Sequence, residues 1–292
     1  MTSHTTIADP IADPHAASPH LAHHFHSPAQ QFEAGKLGIW LFLLTEVLFF
    51  SGLFCAYAVY RASHPEIFNY AHYFLDTRLG LLNTFVLLVS SLTAALAVRF
   101  AQLGQRRLLV LNIALTIFCA FTFLGVKYVE YAHKFQDGLL PGMYFNPTEH
   151  VWETPTFRKK HPEAALFAEH LREFAATGKA SEQASHPRLA RPSAAELEPL
   201  LKAGVLGPHA EFAEFPSQPR NAHLFFGIYF MMTGLHGIHV LGGIGVWIWL
   251  LVRAQRGQFG AAYFGPVDYA ALYWHLVDLV WIYLFPLLYL IH

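Results

Sequence analysis

Charge is scarce in this sequence. Asp, Glu, Lys and Arg make up 13% of the 292 residues, and the formal net charge is −1. A protein without a basic excess cannot neutralise many phosphates, so we expect no nucleic-acid partner.

Cysteine is scarce too. The sequence has Cys55 and Cys119 only, and both lie within apolar runs, far from any metal-ligand spacing. They are predicted to be small core hydrophobes, and they give no information on the redox compartment.

Long apolar runs are what the sequence has in abundance. Hydrophobic residues make up 54% of the chain. A helix needs about 20 mainly apolar residues to cross a membrane. Five segments approach or exceed that length, at about 36–61, 79–98, 108–131, 221–252 and 269–291. A buried soluble helix explains one such segment but not five, so the predicted fold is all-α, a polytopic membrane bundle of five transmembrane helices.

The Lys and Arg residues of the short connections predict the orientation. On one side of the predicted membrane the connections hold six of these residues: Lys36, Arg99, Arg106, Arg107, Arg253 and Arg256. The short loop on the opposite side holds two, Arg61 and Arg78. Cytoplasmic loops carry the excess of Lys and Arg. We therefore expect a multi-pass protein of the bacterial cytoplasmic (inner) membrane, with a cytoplasmic N-terminus and an outer (periplasmic) C-terminus.

Two regions lie outside the predicted membrane parts, which are 36–138 and 221–292. Residues 1–35 hold six histidines among Ala, Pro and Ser. They are predicted to be a disordered cytoplasmic tail rather than a metal-binding tract. Residues 139–220 are richer in Pro and charge, with helical patterns at 162–178 and 192–204. They are predicted to be a mostly helical or irregular insertion on the outer face, with a docking role.

Glu46 is an acidic residue inside the first predicted membrane span. It is the only charge between Lys36 and Arg61, and it lies ten residues past Lys36. At the rise of a helix this is about 15 Å into a hydrocarbon layer of about 30 Å. An ionisable group at that depth costs several kcal/mol and indicates a functional site. Two interpretations stay open here: a neutral carboxyl that joins helices, and a group that handles protons or ions.

The membrane histidines do not predict a haem or metal site. His223 and His236 point to nearly opposite sides of a helix, and no second helix supplies a pair to match His236 and His239. Copper or zinc needs three or four converging ligands, which the sequence does not offer. We expect no catalytic residue, no metal and no cofactor in this chain. His275 has Asp278 three residues on, and these two are predicted to form a structural polar pair.

A charged cluster ends the third span. Lys127, Glu130, His133 and Lys134 recur at three- and four-residue spacing. The two compatible interpretations are side chains that snorkel to the lipid headgroups and a site for a phospholipid headgroup.

Several motifs together resemble subunit III of the haem–copper cytochrome c oxidases. They are GIWLFLLTEVLFFSGLFCAY around Glu46, LLNTFVLLVSS (81–91), KYVEY ending at Tyr131, TGLHGIHVLGG (233–243) and YWHLVDLVWIYLF (273–285). The resemblance covers about 36–138 and 221–292. It implies a five-helix form, without the two N-terminal helices of seven-helix members.

The resemblance also implies a role. The chain would be a non-catalytic subunit of a proton-translocating oxidase in aerobic respiration, flanking subunit I directly, with subunit II nearby and haem and copper in those partners. The intramembrane acid of the family, here Glu46, lies near a histidine, for which His236 and His239 are the candidates. The family binds phospholipid, and the candidate positions for it are Glu130, His236 and Arg253.

Three alternatives remain. Quinol oxidases and the accessory protein of nitric oxide reductase carry similar five-helix subunits, although Glu46 and the EY and WHLVD motifs favour a cytochrome c oxidase. An ion carrier that uses Glu46 is an alternative of another class, but five spans do not divide into the two repeats typical of carriers. Apart from these alternatives, cytochrome c or another respiratory complex is a candidate partner that would bind to residues 139–220.

Overall fold

The computed structural model describes residues 21–142 and 221–290, which form helices and no strand. Six helices lie in these ranges, five of them long and apolar enough to cross a membrane. They are α1 (Pro28–Ser63), α2 (Pro65–Ala71), α3 (Thr77–Gln102), α4 (Arg106–Gln136), α5 (His223–Gln255) and α6 (Gly265–Tyr289). The short α2 continues into a 3-10 turn at His72–Phe74. The prediction of an all-α bundle with five spans is confirmed.

The first helix begins earlier than predicted. Residues 28–35 are helical, so the prediction of a disordered tail over 1–35 is wrong for this part. The cause is a helix start in the sequence Ser-Pro-Ala-Gln. Ser27 Oγ accepts a hydrogen bond from the Gln30 backbone N at 3.2 Å, and Gln30 Oε1 accepts one from the His26 backbone N at 2.9 Å. Pro28 takes the first helical position, where its missing N–H is not needed. Residues 1–20 and most of the predicted insertion, 143–220, lie outside the described residues.

A side-chain cap begins α3, and a short turn joins α3 to α4. Asp76 Oδ1 accepts hydrogen bonds from the backbone N of Arg78 at 2.8 Å and of Leu79 at 3.4 Å, which caps the start of α3. Between α3 and α4 the chain turns at Gly104, whose φ of 68° is a left-handed value that favours glycine. A turn this short makes α3 and α4 consecutive, oppositely directed spans.

The described residues form two compact units, and each long helix contributes a part to each. The first contains residues 21–51, 87–121 and 239–279. In its described part, Trp247 and Trp274 are fully buried, with ring planes at 89° and centroids 6.5 Å apart. Gly243 lies directly against the Trp274 ring, which only a residue without a side chain permits.

The second unit contains the described residues 52–86, 122–142, 221–238 and 280–290. Its described core contains the buried aromatic residues Tyr57, Phe68 and Phe225. The last turn of α6 is tied to earlier parts of the chain. The Tyr57 hydroxyl donates a hydrogen bond to the Leu287 carbonyl, and Thr77 Oγ1 donates one to the Tyr289 carbonyl at 3.2 Å. These bonds satisfy carbonyl groups that the end of a helix leaves without partners.

Candidate functional site

Glu46 of α1 is hydrogen-bonded to His239 of α5. Glu46 Oε2 and His239 Nε2 are 2.8 Å apart, and the two side chains are 17% and 19% exposed. The rings of Phe49 and Phe50 flank the imidazole, with centroids 6.3 and 5.1 Å from it. The Tyr273 hydroxyl of α6 donates a hydrogen bond to the His239 carbonyl at 2.9 Å. Three spans therefore meet at this pair.

The pair has a simple acid–base property. A carboxyl and an imidazole in hydrogen-bond contact share one proton, and when the imidazole also carries a proton on Nδ1 the pair has zero net charge whether the shared proton lies on oxygen or on Nε2. Pairing reduces the cost of an ionisable group in an apolar span. The arrangement can therefore hold a proton without placing an isolated charge in the membrane.

His236 has a different environment, although it lies on the same helix three residues before His239. It is 1% exposed and packs between the rings of Phe123 and Trp281, at 5.5 and 5.3 Å between centroids. Of the two predicted partners for Glu46, the structure selects His239.

Glu130 is the centre of a buried polar cluster that joins α4, α5 and α6. Glu130 Oε2 accepts a hydrogen bond from Lys127 Nζ at 2.9 Å. Glu130 Oε1 accepts three more, from Lys134 Nζ at 3.0 Å, Tyr229 Oη at 2.7 Å and Tyr289 Oη at 2.5 Å. We call these five residues the Glu130 cluster.

The Glu130 cluster corrects the prediction of a group that reaches the lipid headgroups. Lys127, Glu130 and Lys134 are 7%, 2% and 3% exposed. They lie on the face of α4 that packs against α5 and α6, and only His133 of the predicted group is exposed. The Lys127 ammonium also lies 4.6 Å from the centre of the Trp281 ring. Glu130 and His236 are both buried, and lipid binding at these two positions stays a prediction.

Asp278 is a second buried carboxyl, after Glu130. Its closest partner is Ser91 of α3, whose Oγ lies 2.5 Å from Asp278 Oδ2. No hydrogen bond joins it to the half-buried His275 within the described residues, although the two groups interact electrostatically. The hydrogen bond of Asp278 links two helices, and the structural role of the His275–Asp278 pair stays a prediction. Next to Ser91, the Trp274 indole N–H donates a hydrogen bond to Ser90 Oγ at 2.8 Å. Polar side chains thus fasten α6 to α3 at two adjacent positions.

Arg253 lies at the end of α5 and is half-buried. Its Nε donates a hydrogen bond to Gln258 Oε1 at 2.6 Å, and its guanidinium lies 4.6 and 5.1 Å from the centres of the Trp249 and Phe259 rings. The stacked guanidinium is held at the boundary of the span. Lipid binding at Arg253 stays a prediction.

Sequence reasoning gave Glu46 two candidate partners, one of which is His239, and it grouped Glu130 with its observed partners Lys127 and Lys134. It paired Asp278 with His275 and not with Ser91. Ser91, Tyr229 and Tyr289 were missed because a lone hydroxyl in an apolar run gives no local signal. Among residues 21–142 and 221–290, no three His, Cys, Asp or Glu side chains are placed to hold a metal ion.

Comparison with known proteins decides the family. The family profile described as "Cytochrome c oxidase subunit III" matches residues 21–149 and 213–292, which is most of the chain. The chain belongs to the cytochrome c oxidase subunit III family. All the polar groups described above lie within the matched ranges, so they belong to the part of the chain that is shared with the subunit III family.

Individual relatives add detail. A probable cytochrome c oxidase subunit 3 of Mycobacterium tuberculosis is 36% identical over 89 residues, which is 30% of this chain and 44% of the relative. A cytochrome c oxidase subunit 3 of Thermostichus vulcanus is 40% identical over 72 residues, 24% of this chain and 36% of the relative. The chain thus spans less than half the length of these relatives. A probable quinol oxidase subunit 3 of Staphylococcus aureus is 22% identical over 266 residues, 91% of this chain and 92% of the relative.

Proposed function

We propose that this chain is the non-redox accessory subunit of a proton-pumping haem–copper terminal oxidase, and that it flanks the catalytic subunit I. Haem and copper would be held by subunits I and II, and electrons would not pass through this chain. The observation that carries the proposal is the Glu46–His239 pair, in a chain of the subunit III family, on a helix that the bundle itself barely covers.

The exposure of α1 supports a neighbouring subunit. In the apolar 18-residue stretch of α1, 11% of the residues are buried, against 50% in the corresponding stretch of α6. Large apolar side chains such as Trp40, Leu41 and Leu48 are more than half exposed. A partially exposed acid–imidazole pair in such a helix is better accommodated against protein than against hydrocarbon. Subunit I would supply that cover.

In this role the Glu46–His239 pair binds α1 to α5 and holds one proton near the catalytic subunit. The shared proton can move between the carboxyl and the imidazole without changing the net charge of the pair, and its release to a group of subunit I would leave one negative charge on the pair. The subunit would in this way help to keep proton supply and turnover stable.

The test is Glu46→Gln in the intact complex. The amide keeps the size and one acceptor but cannot exchange a proton, so assembly with subunit I should persist while inactivation during turnover accelerates. Glu33→Gln is the matched control, because Glu33 is an exposed acid of the same helix. Turnover inactivation that is unchanged in Glu46→Gln and equal to that of Glu33→Gln contradicts the role of the pair.

A quinol oxidase is the second candidate, because the Staphylococcus aureus relative aligns over nearly the whole of both chains. The electron donor distinguishes the two. Oxygen consumption by the purified complex should respond to reduced cytochrome c, and a response to quinol alone would reassign the complex. Identification of the co-purifying chains and haem types also tests the remaining alternatives, the accessory protein of nitric oxide reductase and an ion carrier.

A further inference from the structure

Two carboxyl groups of this bundle are similarly buried but have very different surroundings. Glu130 is 2% exposed and Asp278 is 5% exposed. Glu130 receives four hydrogen bonds, two of them from ammonium groups. Asp278 has a hydrogen bond with the neutral hydroxyl of Ser91. Among the described residues, no Lys, Arg or His lies within 4.0 Å of it.

The second carboxyl oxygen of Asp278 differs further from those of Glu130, because it lacks a hydrogen-bond partner among the described residues. Asp278 Oδ1 is buried and has no hydrogen-bond partner within the described part of the chain. An ionised carboxylate can accept several hydrogen bonds, and burying one without a counterion or enough donors is strongly unfavourable. A neutral carboxylic acid needs fewer partners, and the short contact with Ser91 supplies one. Glu130 is the contrasting case, because the bundle supplies this buried carboxylate with two ammonium groups and two phenol hydroxyls as donors.

We infer that Asp278 is a proton-binding site of the bundle, a neutral carboxylic acid at rest that is separate from the Glu46–His239 pair. Its ligand is an exchangeable proton. Ser91 faces it from α3, and His275 faces it from its own helix, one turn earlier. His275 is more exposed than Asp278, so it is the group through which the proton exchanges with the surroundings.

Infrared spectroscopy of the full chain, with the subunits that co-purify, tests this inference. Aspartate labelled with carbon-13 at its side-chain carboxyl shifts the carbonyl band of every aspartic acid. At pH 7 we expect a protonated-acid band that shifts with the label and moves in D2O. It should be lost in Asp278→Asn. It should persist in the matched control Asp268→Asn, because Asp268 is an aspartate of the same helix that lies 3.5 Å from Lys36.

The opposite results are equally clear. Aspartate bands at pH 7 that are all of the ionised type overturn the inference, as does a protonated band that survives in Asp278→Asn. If Asp278→Asn fails to fold, Asp278→Glu serves instead, since it keeps the acid but removes its band from the aspartate label. His275→Leu should leave the band in place and slow its exchange in D2O. An unchanged exchange rate overturns the role of His275.

Discussion

Tyr289 Oη lies 2.5 Å from Glu130 Oε1, a contact between the last turn of α6 and the C-terminal half of α4. Lys127 Nζ lies 2.7 Å from the same phenol oxygen. The phenol therefore donates to the carboxylate and accepts from the ammonium. This makes the Glu130 cluster a closed network in which each charge has an oppositely charged or hydrogen-bonded partner.

The first prediction concerns that network. Glu130→Ala should destabilise the chain by about 3–5 kcal/mol, because it leaves two buried lysines without their shared counterion. The measurement is the apparent unfolding midpoint in detergent. Tyr128→Phe is the control, since Tyr128 lies on the same helix and is 75% exposed. A midpoint for Glu130→Ala that matches Tyr128→Phe would show that the cluster does not support the fold.

The second prediction concerns the contact of α5 with α6. A Cβ on Gly243 would overlap the Trp274 ring, so Gly243→Ala should destabilise by about 1–3 kcal/mol through overpacking. Gly245→Ala is the matched control two residues away, where a Cβ meets nothing within 4 Å. This control should be neutral or slightly stabilising, because alanine favours helix over glycine. Equal unfolding midpoints for the two variants would contradict the close approach.

The third prediction concerns pH. Burial raises the pKa of Asp137, just past the end of α4, and the nearby His133 and Lys134 reduce the shift. A carboxyl whose pKa is higher in the folded state than in the unfolded state favours folding at low pH, and this contribution is lost as pH rises through the folded pKa. Asp137→Asn should therefore raise the unfolding midpoint at pH 7 relative to the wild type, and the gain should shrink as the pH approaches 4. A gain that grows on acidification would contradict the sign of the shift.

The fourth prediction concerns orientation. We expect the loop at Gln105 to face the cytoplasm and the segment at Asn69 to face the outer side. In a background without Cys55 and Cys119, Asn69→Cys should react with a membrane-impermeant maleimide in intact cells. Gln105→Cys should react only after permeabilisation; the reverse labelling pattern would invert the topology.

The spans could be predicted from the sequence because their signal is local. Twenty or more apolar residues identify a membrane helix without knowledge of its neighbours. The start of α1 was missed for the opposite reason. Ala29, Gln30 and Gln31 carry no apolar signal, and only the Ser27 cap marks them as helical. Hydropathy gives the length of a span but not the length of its helix.

The partners of the polar residues could be predicted only in part. The three-residue spacing of His275 and Asp278 suggested a local pair, yet Asp278 bonds to Ser91, which is 187 positions away in sequence. For Lys127 and Lys134 the spacing showed that they share a face with Glu130. It did not show whether that face meets lipid or protein, because this depends on how α5 and α6 pack. His239 was found because the resemblance limited the choice to two residues.

The hydrogen bonds at the end of α6 bear on how the chain matures in the membrane. Tyr57, Thr77 and Glu130 all direct polar groups at residues 287–289, which the ribosome makes later than any of the three. Until that segment inserts, Glu130 and Lys127 lack the Tyr289 phenol, and the Tyr57 hydroxyl has no carbonyl to cap. An assembly intermediate without α6 would therefore carry exposed polar groups in three earlier segments. Quality-control proteases that recognise polar groups within the bilayer would have a physical basis for telling a chain that lacks α6 from one that contains it.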